Sequence, residues 1–197
     1  MTTQINQISC PGCGAPVSIS ATECEYCQGP VMITTFRRVT DMLPENIGKY
    51  ASSYKQSLAS GVETPELNNS LAMCYLKMKL YAKALQCFEK AISENIDNPE
   101  SYFYAAICLL NGKKAFLATR ETIDKIEDYI NAAIMLESRG IFYYFLAYIK
   151  YDYYIRKHFK TSPTCSEVLH EANMAGYSSE DVDQLFSILS IEKPREM

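Results

Sequence analysis

The stretch from Leu71 to Ile92, LAMCYLKMKLYAKALQCFEKAI, constrains the fold of this 197-residue chain more than any other. Leu71, Ala72, Tyr75 and Met78 form one apolar stripe, and Ala82, Leu85, Phe88, Ala91 and Ile92 form a second. Both step by three and four residues, the period of an α-helix with one buried face. Between them Lys79, Leu80 and Tyr81 leave room only for a tight turn, so the helices must fold back into an antiparallel hairpin. The small residues Ala72, Ala84 and Ala91 stand where facing helices have to approach closely. Such a hairpin cannot bury both its faces alone, so similar units are expected beside it at a fixed spacing.

A step of about 34 residues finds them. Pro99-Glu100 steps back onto Pro65-Glu66, each preceded by an N-cap residue, Asn98 or Thr64, with proline at the first helical position. Phe88 and Ala91 step back onto Tyr54 and Ser57, so Glu45 to Leu58 reads as the second helix of a half repeat, opened by Pro44 and closed by Gly61. Ala72 steps forward onto Ala106, in a helix ended by Asn111-Gly112. Tyr129 and Ala132 then match Phe88 and Ala91 only if about seven extra residues are inserted within Lys113 to Arg120. With that offset Lys125 falls where a small residue is expected. A third repeat begins with a long helix from Ile141 to about His158, with Ala147 in the place of Ala106. Its partner runs from Thr164 to Met174 and places Cys165, Leu169 and Ala172 at the spacing of Ala84, Phe88 and Ala91. After Gly176, Ser178 and Asp181 form a capping-box start for a last helix, whose apolar side carries Val182, Leu185, Phe186 and Leu189.

The sequence Ala72, Tyr75, Ala84, Phe88, Ala91 resembles the tetratricopeptide repeat, and the resemblance extends over about residues 44 to 176. It implies a mainly α fold: a tetratricopeptide-like α–α superhelix of about three repeats with a terminal capping helix. In that family the first helix of each repeat lines a groove that holds peptides or partner helices. By register this implies a wall of Asn69, Met73 and Leu76, then Phe103, Ile107 and Leu110, then Tyr144, Tyr148 and Tyr151, with Lys77 and Asp152 at the edge. The third helix is apolar nearly all round, so its rings have a competing use in filling the core or meeting the terminal helix.

Ahead of the repeats lies a different pattern. Cys10-Pro-Gly-Cys13 and Cys24-Glu-Tyr-Cys27 are two pairs of the same spacing, each able to point two thiolates at one ion from a tight turn. Gly12 and Gly14 supply permissive backbone for the first turn. Ala15 to Ser20 and Val31 to Phe36 have short-strand character, and the whole resembles a small β zinc ribbon. Four sulfurs suit zinc, with a rubredoxin-like iron site and a disulfide pair as the alternatives. The expected organisation is a zinc ribbon over 1–36, helical repeats over 37–177, and a capping helix with tail over 178–197.

Composition narrows the function. A charge of −4 and the absence of Lys or Arg before Arg37 disfavour a nucleic-acid role for the ribbon, which needs clustered positive charge. A site closed by four thiolates leaves no position for a reactive water. Only His158 and His170 are present, neither near a nucleophile motif, and the glycines form no phosphate loop. Cys74, Cys87 and Cys108 lie on helical stripes, as buried thiols do in a reducing compartment. No apolar run reaches the roughly 20 residues of a membrane span, and MTTQINQISC lacks a basic and apolar leader, so the expected address is the cytoplasm. Two clusters of cations stand out, Lys113, Lys114 and Arg120 in the insertion and Arg156, Lys157, His158 and Lys160 after the long helix. The reading is a non-enzymatic adaptor that binds a protein or peptide. The alternatives are a nucleic-acid-associated factor using the ribbon and a thiol-based redox or metal sensor.

Overall fold

The structure is a computed structural model that describes residues 7–195 and 197. The first six residues of the segment assigned to the ribbon, and residue 196 of the tail, lie outside the described residues. The chain is mainly α with a small β element near its start, as the sequence implies. It divides into two compact units, one closing at Ile96 and the other beginning at Asp97.

In the first unit, β1 (Gln7–Ser9) pairs antiparallel with β2 (Pro16–Ser18), which sets the buried Ile8 opposite the buried Val17. A single bridge joins Glu23 to Pro30. Beyond it the expected strand over Val31 to Phe36 does not form. Its backbone finds side chains instead of a partner strand: the Ile33 N–H donates to Ser70 Oγ (2.9 Å) and the Val31 carbonyl accepts from the Tyr54 hydroxyl (3.0 Å). Val31 and Ile33 are fully buried, and a short helix α1 (Phe36–Thr40) follows.

Helix α2 (Pro44–Ala59) starts on its proline and buries one stripe, Ile47, Tyr50, Ala51, Tyr54 and Ser57. Helix α3 (Pro65–Lys77) is capped by Thr64, whose hydroxyl accepts the Leu67 N–H at 3.2 Å. It packs between α2 and α4 (Tyr81–Glu94) and also meets α1, which is why it is buried on nearly every side. The turn between α3 and α4 is a Schellman motif: Lys79 takes a left-handed conformation (φ 58°), the Leu80 N–H bonds the Tyr75 carbonyl (2.9 Å), and the Lys79 N–H bonds that of Leu76 (2.9 Å). The hairpin is thus closed over Met78, Lys79 and Leu80, one residue earlier than the sequence reading placed it, because Tyr81 is already the first buried residue of α4.

In the second unit, α5 (Pro99–Leu109) pairs with α6 (Arg120–Leu136), and α7 (Gly140–Ile149) pairs with α8 (Cys165–Ala175). The insertion forms one 3-10 turn, Ala115–Leu117. Helix α6 buries Ile123, Ile126, Ile130 and Ala133, the same intervals as Tyr81, Ala84, Phe88 and Ala91 on α4. The insertion is therefore one residue longer than the sequence reading places it. Tyr129 and Ala132 lie only half-buried, and Lys125 is exposed beside the packed position, which Ile126 fills. On α8 the fully buried residues are Val168 and Ala172, with Cys165 and Leu169 half-buried at the margin.

The long helix of the third repeat is compound. After Ile149 it continues as a π-helical turn, Lys150–Ile155, in which the Arg156 N–H reaches the Tyr151 carbonyl at 3.3 Å. Gly140 opens α7 at a close crossing, since a Cβ there would come within 2.2 Å of the Gly176 carbonyl oxygen and 2.8 Å of that of Ala172. The last helix, α9 (Ser179–Leu189), has the expected capping box between Ser178 and Asp181. It lies on α7 and α5 and buries Val182, Leu185, Phe186, Ile188 and Leu189.

Candidate metal centre

Two knuckles of matching backbone build the cysteine site. In the first, the Cys10 N–H bonds the Ala15 carbonyl (2.7 Å), the Gly14 N–H bonds that of Cys10 (2.8 Å), and Gly14 is left-handed (φ 81°). In the second, Cys24 bonds Gly29 (2.9 Å), Gln28 bonds Cys24 (2.8 Å), and Gln28 is left-handed (φ 58°). Each CxxC therefore closes on the residue after its second cysteine, and the four sulfurs converge. Gly12 serves differently from the sequence expectation, because its φ is not positive. What it provides is space, since a Cβ there would lie 3.3 Å from Cys27 Sγ.

The sulfurs of Cys10, Cys13, Cys24 and Cys27 all lie within 4.8 Å of one another, with Cys10–Cys27 and Cys13–Cys24 both at 3.7 Å. A tetrahedron with metal–sulfur bonds of about 2.3 Å has edges of about 3.8 Å, so the arrangement fits one tetrahedral ion. The same distances are far beyond a disulfide bond of about 2.05 Å, and all four cysteines are free thiols. Cys10 and Cys24 are buried, while Cys13 and Cys27 are exposed. The backbone favours negative sulfur. The Cys27 N–H, then that of Tyr26, points at Cys24 and helps hold its thiol down at about 7. Cys10, by contrast, is pushed up, chiefly by burial, against N–H groups of Cys13 and Gly12. Donors aimed at sulfur from within both knuckles are the support that ligating thiolates require. The residues present fit a metal ion.

The other cysteines take no part in this site. Burial raises the Cys74 thiol to about 12 and that of Cys87 to about 11, and it raises Cys165 as well, so these groups stay protonated and unreactive.

The residues implied as a groove wall are mostly interior. On α3, Asn69, Met73 and Leu76 are buried, and the half-buried Lys77 donates to the Thr40 carbonyl at the end of α1 (3.3 Å). Phe103 and Ile107 of α5 and Leu110 at its end are buried too. Phe103 meets Phe142 at a tilt (4.7 Å) and Phe145 edge-on. Tyr144 meets Tyr177 (5.0 Å) and Phe186 (6.4 Å), and Tyr148 meets Phe186 edge-on at 5.5 Å. Over α5 and α7 the cover is α9, whose apolar side rests on these rings, while α3 is covered by α1 and its neighbouring helices α2 and α4. Tyr148 and the buried Asp152 also hold the insertion. The Ala115 N–H donates to the Tyr148 oxygen (3.3 Å), and Asp152 accepts from the Phe116 N–H (2.8 Å), the Tyr148 hydroxyl (3.3 Å) and Arg156 (2.6 Å). Tyr151 is half-buried.

The two basic clusters meet around this insertion. Arg156 and Lys157 flank the ring of Phe116 at 4.7 and 5.2 Å, and Lys157 also reaches the Ala118 carbonyl. Sequence reasoning missed the buried Lys150, which pairs with Glu127 (3.0 Å), donates to Thr161 (2.8 Å) and lies over Tyr154. Its only sequence signal was a cation within a helix otherwise apolar all round.

Among the described residues no helix is long and apolar enough to cross a membrane. Residues 65–98, which span α3 and α4, match the family model of the tetratricopeptide repeat. No curated protein matches the chain.

Proposed function

We propose that this protein is a non-enzymatic adaptor that binds a partner protein through its helical repeats and carries a structural zinc ion on Cys10, Cys13, Cys24 and Cys27. The observation that carries the reading is the tetratricopeptide match over residues 65–98, in a hairpin whose turn and packed faces have the geometry such a repeat needs. Repeats of this kind stack to present surface, and the hydroxyl–carboxylate pairs Thr164–Glu167 and Ser178–Asp181 are accounted for as helix capping boxes. Zinc is favoured over other ions because four thiolates at tetrahedral separation suit it and close every coordination position. The expected address is the cytoplasm, where unpaired thiols persist.

The groove assignment takes a conditional form. Lys77 and Tyr151 are the members of that set left half-exposed, and the others are buried. Elemental analysis of purified protein, with expected stoichiometry of one zinc per chain, tests the metal. Photo-crosslinkers at positions 77 and 151, set against one at the exposed Met135, test each unit's contribution to partner binding. Adducts of defined partner mass at positions 77 and 151 and none at 135 support it. Equal labelling at all three removes it.

A further inference from the structure

Helix α2 brings one polar group to the cysteine site from outside the ribbon, the hydroxyl of Tyr50. The ring is buried, 5% exposed, and rests edge-on against Tyr54 at 6.0 Å. Its oxygen occupies a notch between the two knuckles that two glycines leave open. A Cβ on Gly29 would stand 2.8 Å from that oxygen, and one on Gly12 would stand 3.2 Å from it. The same Gly12 point is 3.3 Å from Cys27 Sγ and 3.8 Å from Cys10 Sγ, so the hydroxyl and two sulfurs surround one small volume. Neither glycine has a positive φ, so both fall outside the backbone conformations that favour glycine. Close approach of the Tyr50 oxygen accounts for them instead.

Four thiolates around a divalent cation leave a net charge of −2, half-sunk in protein, and such a centre is stabilised by donors aimed at its sulfurs. The donors within the ribbon are backbone N–H groups, from Gly12 and Cys13 on one knuckle and from Tyr26, Cys27 and Gly29 on the other. A phenol is an O–H donor, and the buried Tyr50 hydroxyl has one hydrogen to give.

We propose that Tyr50 is a positioning residue for the metal centre: its hydroxyl donates to the thiolate of Cys27 when the ion is bound, and thereby links metal occupancy to the packing of α2. The inference rests on the metal reading above. Occupancy draws Tyr50 toward the knuckles, and Tyr50 lies one helical turn from Tyr54, whose hydroxyl fixes Val31. The ion is in this way connected to the repeat helices through a hydrogen-bonded side chain and not only through the ribbon chain.

The test uses the full chain and Co²⁺, whose sulfur-to-metal absorption reports directly on the thiolates, followed by Zn²⁺ displacement. Tyr50→Phe keeps the ring and removes the donor. The expected result is an affinity lower by about tenfold or more, with a shifted charge-transfer band. Replacing Tyr50 by a fluorinated tyrosine, a stronger donor with unchanged packing, should shift the band in the opposite direction. Tyr143→Phe, which removes a hydroxyl from the second unit, should leave affinity and band unchanged. Bands and affinities identical in wild type, Tyr50→Phe and the fluorinated protein overturn the proposal while leaving the metal site standing. A wild-type chain that takes up neither ion overturns the metal reading and this inference with it. Should Tyr50→Phe fail to fold, the fluorinated protein decides alone.

Discussion

In the unit ending at Ile96, the segment Val31 to Thr40 lies over α3, held by Ser70, Tyr54 and Lys77, and the chain just ahead of it is the cysteine ribbon. In the unit beginning at Asp97, α9 lies over α5 and α7, held by apolar side chains such as Leu185, Phe186 and Leu189. Both units face one problem, since first helices of repeats carry two apolar sides and the neighbouring hairpin covers only one. The first solves it with polar anchors and a short stretch of chain with little core of its own. The second solves it with a capped amphipathic helix. A cover of the first kind depends on whatever keeps its preceding loop folded, whereas one of the second kind depends on buried area alone.

The largest effect should come from the cysteines. Structural zinc sites contribute about 10–16 kcal/mol of apparent binding energy in small peptides, so Cys10→Ser with Cys13→Ser, or a strong chelator, should unfold the ribbon. Hydrogen exchange should then rise from β1 through α1 and reach α2, while the amides of α6 and α7 keep their protection. Loss of protection in both units alike would erase the distinction drawn here. Next in size is Phe186→Ala, which should cost about 3–5 kcal/mol in denaturant melts, with Tyr144 and Tyr148 becoming open to solvent quenching and the ribbon unaffected. Tyr54→Phe strands the Val31 carbonyl in a buried place and should cost about 1–3 kcal/mol, confined to the first unit. Ser178→Ala removes one half of a capping box, and about 1 kcal/mol of local stability should disappear from α9. The smallest effect concerns Glu167. The backbone N–H of Thr164, and then its hydroxyl, hold this carboxyl below the usual range. Its contribution is therefore present above the unfolded value of about 4.3 and fades as pH falls through the lower folded value. Acid titration of α8 protection, with Glu167→Gln as the flat control, checks it.

Several helix starts were legible in the sequence because they carried their own punctuation. Pro44, Pro65 and Pro99 mark starts where they stand, and Asn98, Thr64 and Ser178 cap as their positions require. The paired cysteines were equally plain, since ligand spacing within a tight turn is a local property. What the sequence obscured was set by distant partners. Val31 to Phe36 alternates like a strand, yet Ser70 and Tyr54 claim its backbone groups from far along the chain. The insertion length was misplaced by one because Tyr129 and Ala132 imitate the aromatic and small residues of α4, while Ile130 and Ala133 do the packing. The aromatic helix was open to two readings, groove or core. The contacts of Tyr144 and Tyr148 with Phe186 depend on the placement of α9, and an amphipathic helix carries no mark of which surface it will cover.

The π-helical turn at Lys150–Ile155 has a consequence best put as a matter of phase. Adding a residue to one turn rotates all that follows by about 100° relative to what precedes. One continuous helix thereby keeps two apolar faces at different angles: up to Ile149 it serves α8 and α9, and beyond it Asp152, Tyr153 and Tyr154 point inward while Ile155 turns out. The turn works as a gear between two surfaces that a uniform helix could not meet together. Deleting one residue here should restore a uniform helix and swing Asp152 away from the Phe116 amide that it now holds.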